Sequence, residues 1–316
     1  MIAPGFVFNH VMATLRVDPK LPTWRRVALS TWRRGDDPTI YGWLDIDATA
    51  LLAYVQKLRE TTGQRVTVTH VIGKAAAMAF AAQPENNGVV SLGRFKRRDT
   101  VDVFFQVAFE GGRNLSGAKV VSADRLSVAG IARELDAQAA RIRGTKDTPL
   151  QKSQGLMKSI PPAILGPVLR FSEALMYDAG IDMTRLGIPF DPFGTVMITN
   201  VGMFGIEHGF APLLPIARIP ALLTIGSIRD AVVPVNGAPA VRPVITIGGT
   251  FDHRVIDGYG VGKIAQCVRR VLENPEGELG LAGSSIGHCV LVHYRYLRVP
   301  VRRRTVTRTA TAYRIM

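Results

Sequence analysis

The chain has 316 residues, 47% of them hydrophobic, with a formal net charge of +14. This is a globular composition, long enough for one large domain or two. Two cysteines, Cys267 and Cys289, are too few for a disulfide framework and lack metal-ligand spacing, and no run of eighteen apolar residues and no basic-then-apolar leader is present, so a soluble, cytoplasmic protein is expected.

The charge is unevenly spread: Arg295, Arg298, Arg302, Arg303, Arg304, Arg308 and Arg314 supply half of the net value. The sum therefore does not point to nucleic acid, and no nucleic-acid partner is expected. A moderately basic body suits a phosphorylated cofactor or an ordinary solvated surface.

Residues 1–40 mix apolar residues with Pro4, Pro19, Pro22 and Pro38, which predicts an irregular arm with a short helix around Trp24 to Trp32. Asp45 or Asp47 can cap the helix that follows, where Leu51, Leu52, Val55 and Leu58 recur at helical spacing. Thr67 or Thr69 opens a second, alanine-rich helix through Phe80, ended near Pro84; His70 in its first turn is read as structural or exposed. Val101 to Ala108 reads as a strand and Leu126 to Ile142 as a helix with mixed charges on its outer face.

Ile160 to Tyr177 starts with helix-compatible prolines and continues as an apolar helix too short to span a bilayer. Such a piece packs on the core, walls an acyl chain or dips into a membrane interface; the first reading is preferred. Thr195 to Asn200 is a buried strand. Ala221–Ser227 and Ala231–Val235 are strands separated by a turn at Arg229-Asp230, and Asn236-Gly237 is a tight hairpin turn. Pro243 to Gly249 is a β-branched strand, followed by Thr250-Phe251-Asp252-His253-Arg254-Val255-Ile256-Asp257-Gly258-Tyr259-Gly260 and an amphipathic helix from Tyr259 to Glu273. A histidine, an arginine and two carboxylates thus meet at a strand end, where loops commonly carry function. The arginine-rich residues 279–316 form a basic tail.

Asp252-His253-Arg254-Val255-Ile256-Asp257-Gly258 resembles the His-Arg-x-x-Asp-Gly signature of the 2-oxoacid dehydrogenase acyltransferases, whose catalytic domain shares its fold with chloramphenicol acetyltransferase. Leu44 to Asp47, Gly73 to Phe80, Val101 to Ala108, Thr195 to Gly202 and Ile225 to Ile228 resemble the same domain in the same order. The resemblance implies an α/β (two-layer α+β) chloramphenicol acetyltransferase-like fold, a mixed sheet flanked by helices. It divides the chain into an arm (1–40), an acyltransferase domain (41–278) with a helical insertion at about 148–193, and the tail.

For function the resemblance implies acyl transfer between coenzyme A and a thiol or small-molecule acceptor. His253 would be the base that deprotonates the thiol, since only imidazole has an unperturbed pKa near working pH. Thr199 would hold the tetrahedral oxyanion. Asp257 would fix the histidine loop by pairing with an arginine, Arg25 or Arg26. Gly258 would let the chain turn, and Asn200 would support Thr199. Coenzyme A enters as substrate, and no metal is implied. The chain has no room for a lipoyl domain, so a lipoyl group would arrive in trans on another protein rather than in cis. A homotrimer is expected, with His253 of one subunit facing the hydroxyl of the next. Where the family carries a Gly-Leu-x-x-Pro-Val run, this chain reads Gly111 to Val120 without the proline, so acyl specificity does not carry over. Two other readings are a non-catalytic scaffold or regulatory paralogue, and a membrane-surface acyltransferase using the insertion or basic tail for peripheral contact.

Overall fold

The computed structural model describes residues 15–17, 37–109, 114–144, 162–186 and 188–280. The strands are β1 (Leu15–Val17), β2 (Thr39–Asp47), β3 (Gly88–Ser91), β4 (Arg94–Arg98), β5 (Val103–Phe109), β6 (Asn114–Val120), β7 (Val196–Asn200), β8 (Ala221–Ile225), β9 (Arg229–Val235) and β10 (Ala238–Asp252). The helices are α1 (Thr49–Thr62), α2 (Val68–Ala81), α3 (Val128–Gly144), α4 (Pro162–Tyr177), α5 (Gly258–Glu273) and α6 (Pro275–Leu279).

β10, fifteen residues long, is the axis of the main sheet. Its first part pairs with β9 across Asn236-Gly237, where both residues have positive φ, 51° and 82°. Asn and Gly tolerate that geometry, which is why the dipeptide is legible as a tight turn. The rest of β10 pairs antiparallel with β8 on one side and with β2 on the other. The sheet order is β2-β10-β8-β7-β5-β6, with β9 on β10. β7 runs parallel to both β5 and β8, so those connections must leave the sheet and return. The fold is a mixed sheet with helices, as the sequence leads one to expect.

Side-chain alternation splits the sheet into two faces. Val196, Ile198, Ala221, Leu223 and Ile225 face α1, α2 and α5 in the main core. Met197 and Leu222 point the other way and pack with Phe104, Ala217 and Ile219. The segment from 201 to 220, which joins β7 to β8, crosses that outer face. On the helix side, α2 is buried from Val71 through Phe80, and its alanines allow close approach to the sheet.

Helix starts follow the expected chemistry with refinements. Asp47 accepts the Thr49 N–H at 2.9 Å just ahead of the cap position, which is Ala48, whereas Asp45 accepts the Thr246 hydroxyl at 2.5 Å across the sheet. α2 is capped by Thr67, whose own N–H is accepted by His70 Nδ1 at 3.2 Å in a reciprocal capping box. His70 is structural; burial pushes its pKa down to about 4.

Three elements depart from the sequence reading. Arg229 and Asp230, read as a turn, are the first residues of β9 and pair with Val244 and Pro243 of β10. Asn114–Val120 is not a connection but strand β6, in a hairpin with β5. Residues 88–98 form a second hairpin, β3–β4, turned by Leu92 and Gly93 at φ 47° and 71° and joined by β1 into a three-stranded sheet. The expected arm helix around Trp24 to Trp32 and the basic tail beyond Gly280 lie outside the described residues.

Helix α4 divides along its length. Its last turns bury Met176 and Tyr177 against Val89 and Met183, while Ile164, Val168 and Phe171 are exposed. The buried end is held by polar groups. Arg98 pairs with Asp191 at 2.6 Å, Tyr177 donates to Asp191 at 2.9 Å, and Arg218 binds both Glu173 and Asp178 at 2.6 Å. Burial alone would raise the Asp191 pKa, but the charge and hydrogen bonds of Arg98 outweigh it and hold the carboxyl below its usual value. Among the described residues no helix is long and apolar enough to cross a membrane.

Candidate active site

The dense motif sits where β10 ends and α5 begins. Asp252, the last residue of β10, accepts the N–H groups of Val255 and Ile256 on its carbonyl, both at 2.9 Å, which closes a tight turn. Val255 and Ile256 plug into the core and anchor that turn. His253 is left at its surface, with its N–H donated to the Pro38 carbonyl at 2.9 Å. Its Nδ1 lies 3.0 Å from the Ile256 carbonyl oxygen. A carbonyl only accepts, so Nδ1 carries a proton, and in the neutral ring the basic nitrogen is then Nε2.

The carboxylate that pairs with an arginine inside the motif is Asp252. Its oxygens take Arg254 Nη2 at 2.7 Å and Nε at 3.0 Å, and also the Arg254 N–H at 2.9 Å. This two-point grip braces the turn that carries His253. Asp257 caps α5 by accepting the Gly260 N–H at 2.8 Å; its expected arginine partners, Arg25 and Arg26, are not among the described residues. Gly258 does not make the turn by glycine freedom: its φ is not positive, and a Cβ there would meet nothing within 4 Å. It is the first helical residue.

Thr199 and Asn200 lie at the far end of β7. Asn200 donates from Nδ2 to the Thr69 hydroxyl at 3.1 Å and accepts the Met203 N–H at 3.3 Å, fastening the strand end to α2 and to the turn beyond it. Thr199 shares the outer face with Met197, in register with Thr224 of β8. Thr224 in turn is level with Gly248 of β10. The backbone at Gly209 crosses Gly248 so closely that a Cβ on Gly248 would lie 2.2 Å from the Gly209 carbonyl oxygen. Beside this crossing, Trp43, His208, Phe210 and Thr246 line an open cleft of about 310 Å³.

The registers also fix how far apart the two ends are. His253 is five residues beyond Gly248, so it lies roughly 17 Å along the strand direction and about 10 Å across the sheet from Thr199. One chain does not bring the expected base and oxyanion donor together. Among the described residues no cluster of histidine, cysteine and carboxylates could hold a metal ion.

The family model for the 2-oxoacid dehydrogenase acyltransferase catalytic domain matches residues 30–157 and 193–279, more than half of the chain. The chain belongs to that family. Both ends of the candidate site fall in the second matched stretch, whereas α4 lies between the two. Relatives of this acyltransferase domain include the dihydrolipoyllysine-residue acetyltransferase component of the pyruvate dehydrogenase complex of Zymomonas mobilis, 27% identical over 82% of the chain and 50% of that protein. The lipoamide acyltransferase component of the branched-chain alpha-keto acid dehydrogenase complex of Bacillus subtilis is 24% identical over 79% and 50%. The chain thus spans about half the length of these relatives. Among solved structures, the dihydrolipoamide acetyltransferase of Azotobacter vinelandii superposes with a TM-score of 0.56 at 16% identity, covering 88% of this chain and 98% of that one. At that identity the likeness establishes the fold.

Sequence reasoning attached no role to Asp252 or Thr224. The strand alternation that places Thr199 on one face could have found Thr224, once the β7–β8 register was known.

Proposed function

We propose that the chain transfers an acyl group between coenzyme A and a dihydrolipoyl-type thiol carried by a lipoylated partner. The observation that carries this reading is the Nδ1 contact of His253 with the Ile256 carbonyl, which makes Nε2 the basic nitrogen of the neutral ring on a braced turn. In the transfer direction, Nε2 takes the proton from the incoming thiol and the thiolate adds to the carbonyl carbon of the acyl thioester. The oxyanion of the tetrahedral intermediate accepts a hydrogen bond from the Thr199 hydroxyl. Collapse expels the second thiolate, which recovers the proton from His253, so the enzyme ends as it began. Asp257 contributes indirectly, by capping the helix that follows the histidine turn.

Because His253 and Thr199 occupy opposite ends of the sheet, the reading requires His253 of one subunit to face Thr199 of another, as in a cyclic trimer. The names of the relatives, acyltransferase components of several 2-oxoacid dehydrogenase complexes, support thioester chemistry and leave the acyl group open.

The test is thiol release or consumption by the purified protein with acetyl-, succinyl-, branched and longer acyl-coenzyme A esters and dihydrolipoamide. Turnover that falls at least about 100-fold in His253→Ala is expected. No turnover with any ester, or unchanged turnover in the variant, would overturn the reading.

A further inference from the structure

Beside Thr199 the sheet carries a second hydroxyl. The parallel register pairs Thr199 with Thr224, just as it pairs Met197 with Leu222 two residues earlier. Met197 and Leu222 both lie in the outer-face cluster, while Ile198 and Leu223 between them lie in the helix-side core. Alternation therefore puts Thr199 and Thr224 side by side on the outer face, with Cα atoms roughly 4.8 Å apart.

Thr224 is 1% exposed, and its Oγ1 is buried with no hydrogen-bond partner among the described residues. It is roofed by the crossing segment: a Cβ on Gly209 would lie 3.6 Å from the Thr224 methyl group. An orphaned buried hydroxyl is destabilising, and valine would fill the same space in a strand without that penalty. The hydroxyl therefore needs an occupation outside stability, and its neighbour across the register is the side chain assigned to the oxyanion.

We propose that Thr224 is a positioning residue for Thr199, its hydroxyl donating to Thr199 Oγ1 when the transition state forms. Rotation of either Cα–Cβ bond between staggered wells brings the two oxygens toward one another. With its lone pair occupied by Thr224, the Thr199 hydroxyl turns its own proton to the developing oxyanion. Two hydroxyls in series polarise one another, so the terminal donor is stronger than a single one. No bond is broken and no proton changes owner. This inference rests on the acyl-transfer reading above.

The experiment compares Thr224→Val, Thr224→Ser, Thr199→Val and the double valine variant in the acyl-coenzyme A assay, together with thermal melts. Thr224→Val lowers kcat about tenfold, the scale of one hydrogen bond made only in the transition state, with KM for the acyl-coenzyme A unchanged and the melting temperature unchanged or raised. Thr224→Ser keeps wild-type kcat. In the Thr199→Val background Thr224→Val adds nothing further, because the group it positions is gone. A Thr224→Val protein with wild-type kcat, an additive double variant, or a serine variant as impaired as the valine one overturns the inference while leaving acyl transfer standing. A wild-type protein without turnover overturns both.

Discussion

His253 can serve as a base only if its ring presents the right nitrogen, and that choice is made by one backbone carbonyl. Ile256, two residues past Arg254, is buried by the core, and its oxygen meets Nδ1 at 3.0 Å. The histidine is thus oriented by its own turn. The turn is braced by Asp252, whose carboxylate grips Arg254. Replacing Asp252 by Asn keeps the shape and weakens the grip. Its kcat for acyl transfer falls while the melting temperature changes little, and single-turnover kinetics across pH would separate this from loss of the base. On the opposite strand end, Thr199→Val removes a donor of the kind whose loss costs about 10²- to 10³-fold in kcat, with KM little changed. The identity of His253 and Thr199 as candidates was legible, because both stand within recognisable runs of sequence. The role of Asp252 was not, since its partner is only two residues away and a local ion pair leaves no periodic trace.

At the scale of elements, the helices were legible because their burial follows a repeat the chain itself displays: Leu51, Val55 and Leu58 on α1, and Ile264, Val268 and Val271 on α5. The cap of α2 has a consequence for pH. Burial of His70 lowers its folded-state pKa from 6.5 to about 4. Between those values the unfolded chain binds a proton that the folded chain refuses. Stability is therefore fully present above about pH 6.5 and declines as pH falls toward about 4, by at most about 1.4 kcal/mol per pH unit. Denaturant melts at pH 7 and 5 should differ accordingly, and His70→Gln should flatten the dependence. The hairpin β3–β4 was not legible. Arg94-Phe95-Lys96-Arg97-Arg98 carries four basic residues in five, yet Arg98 is buried because Asp191, far along the chain, supplies its counter-charge. Removing one partner leaves the other charge buried and alone, so Asp191→Ala should cost about 3–5 kcal/mol in denaturant melts. Arg98→Met with Asp191→Leu should recover part of that loss.

For the whole molecule, the separation of His253 from Thr199 within one sheet means that the proposed acyl transfer needs two subunits. His253→Ala and Thr199→Val would each disable every site in their own trimers. Co-assembled at random in equal amounts, they regenerate about one quarter of wild-type sites, because each mixed cyclic trimer has one interface carrying both intact side chains. Co-refolding followed by the thiol assay would measure this, and activity no greater than either parent would refute a shared site. The sequence by itself determined the family, the helix faces, the Asn236-Gly237 turn and the histidine motif, because each depends on residues close together in the chain. Only the tertiary structure decided which carboxylate braces His253, that Thr224 stands beside Thr199, how α4 is pinned by Asp191 and Arg218, and that the two ends of the site lie far apart in one chain. The first is a local ion pair that leaves no periodic trace; the others depend on strand register and on pairing between distant segments, which are set by the packing of the whole sheet rather than by any local pattern.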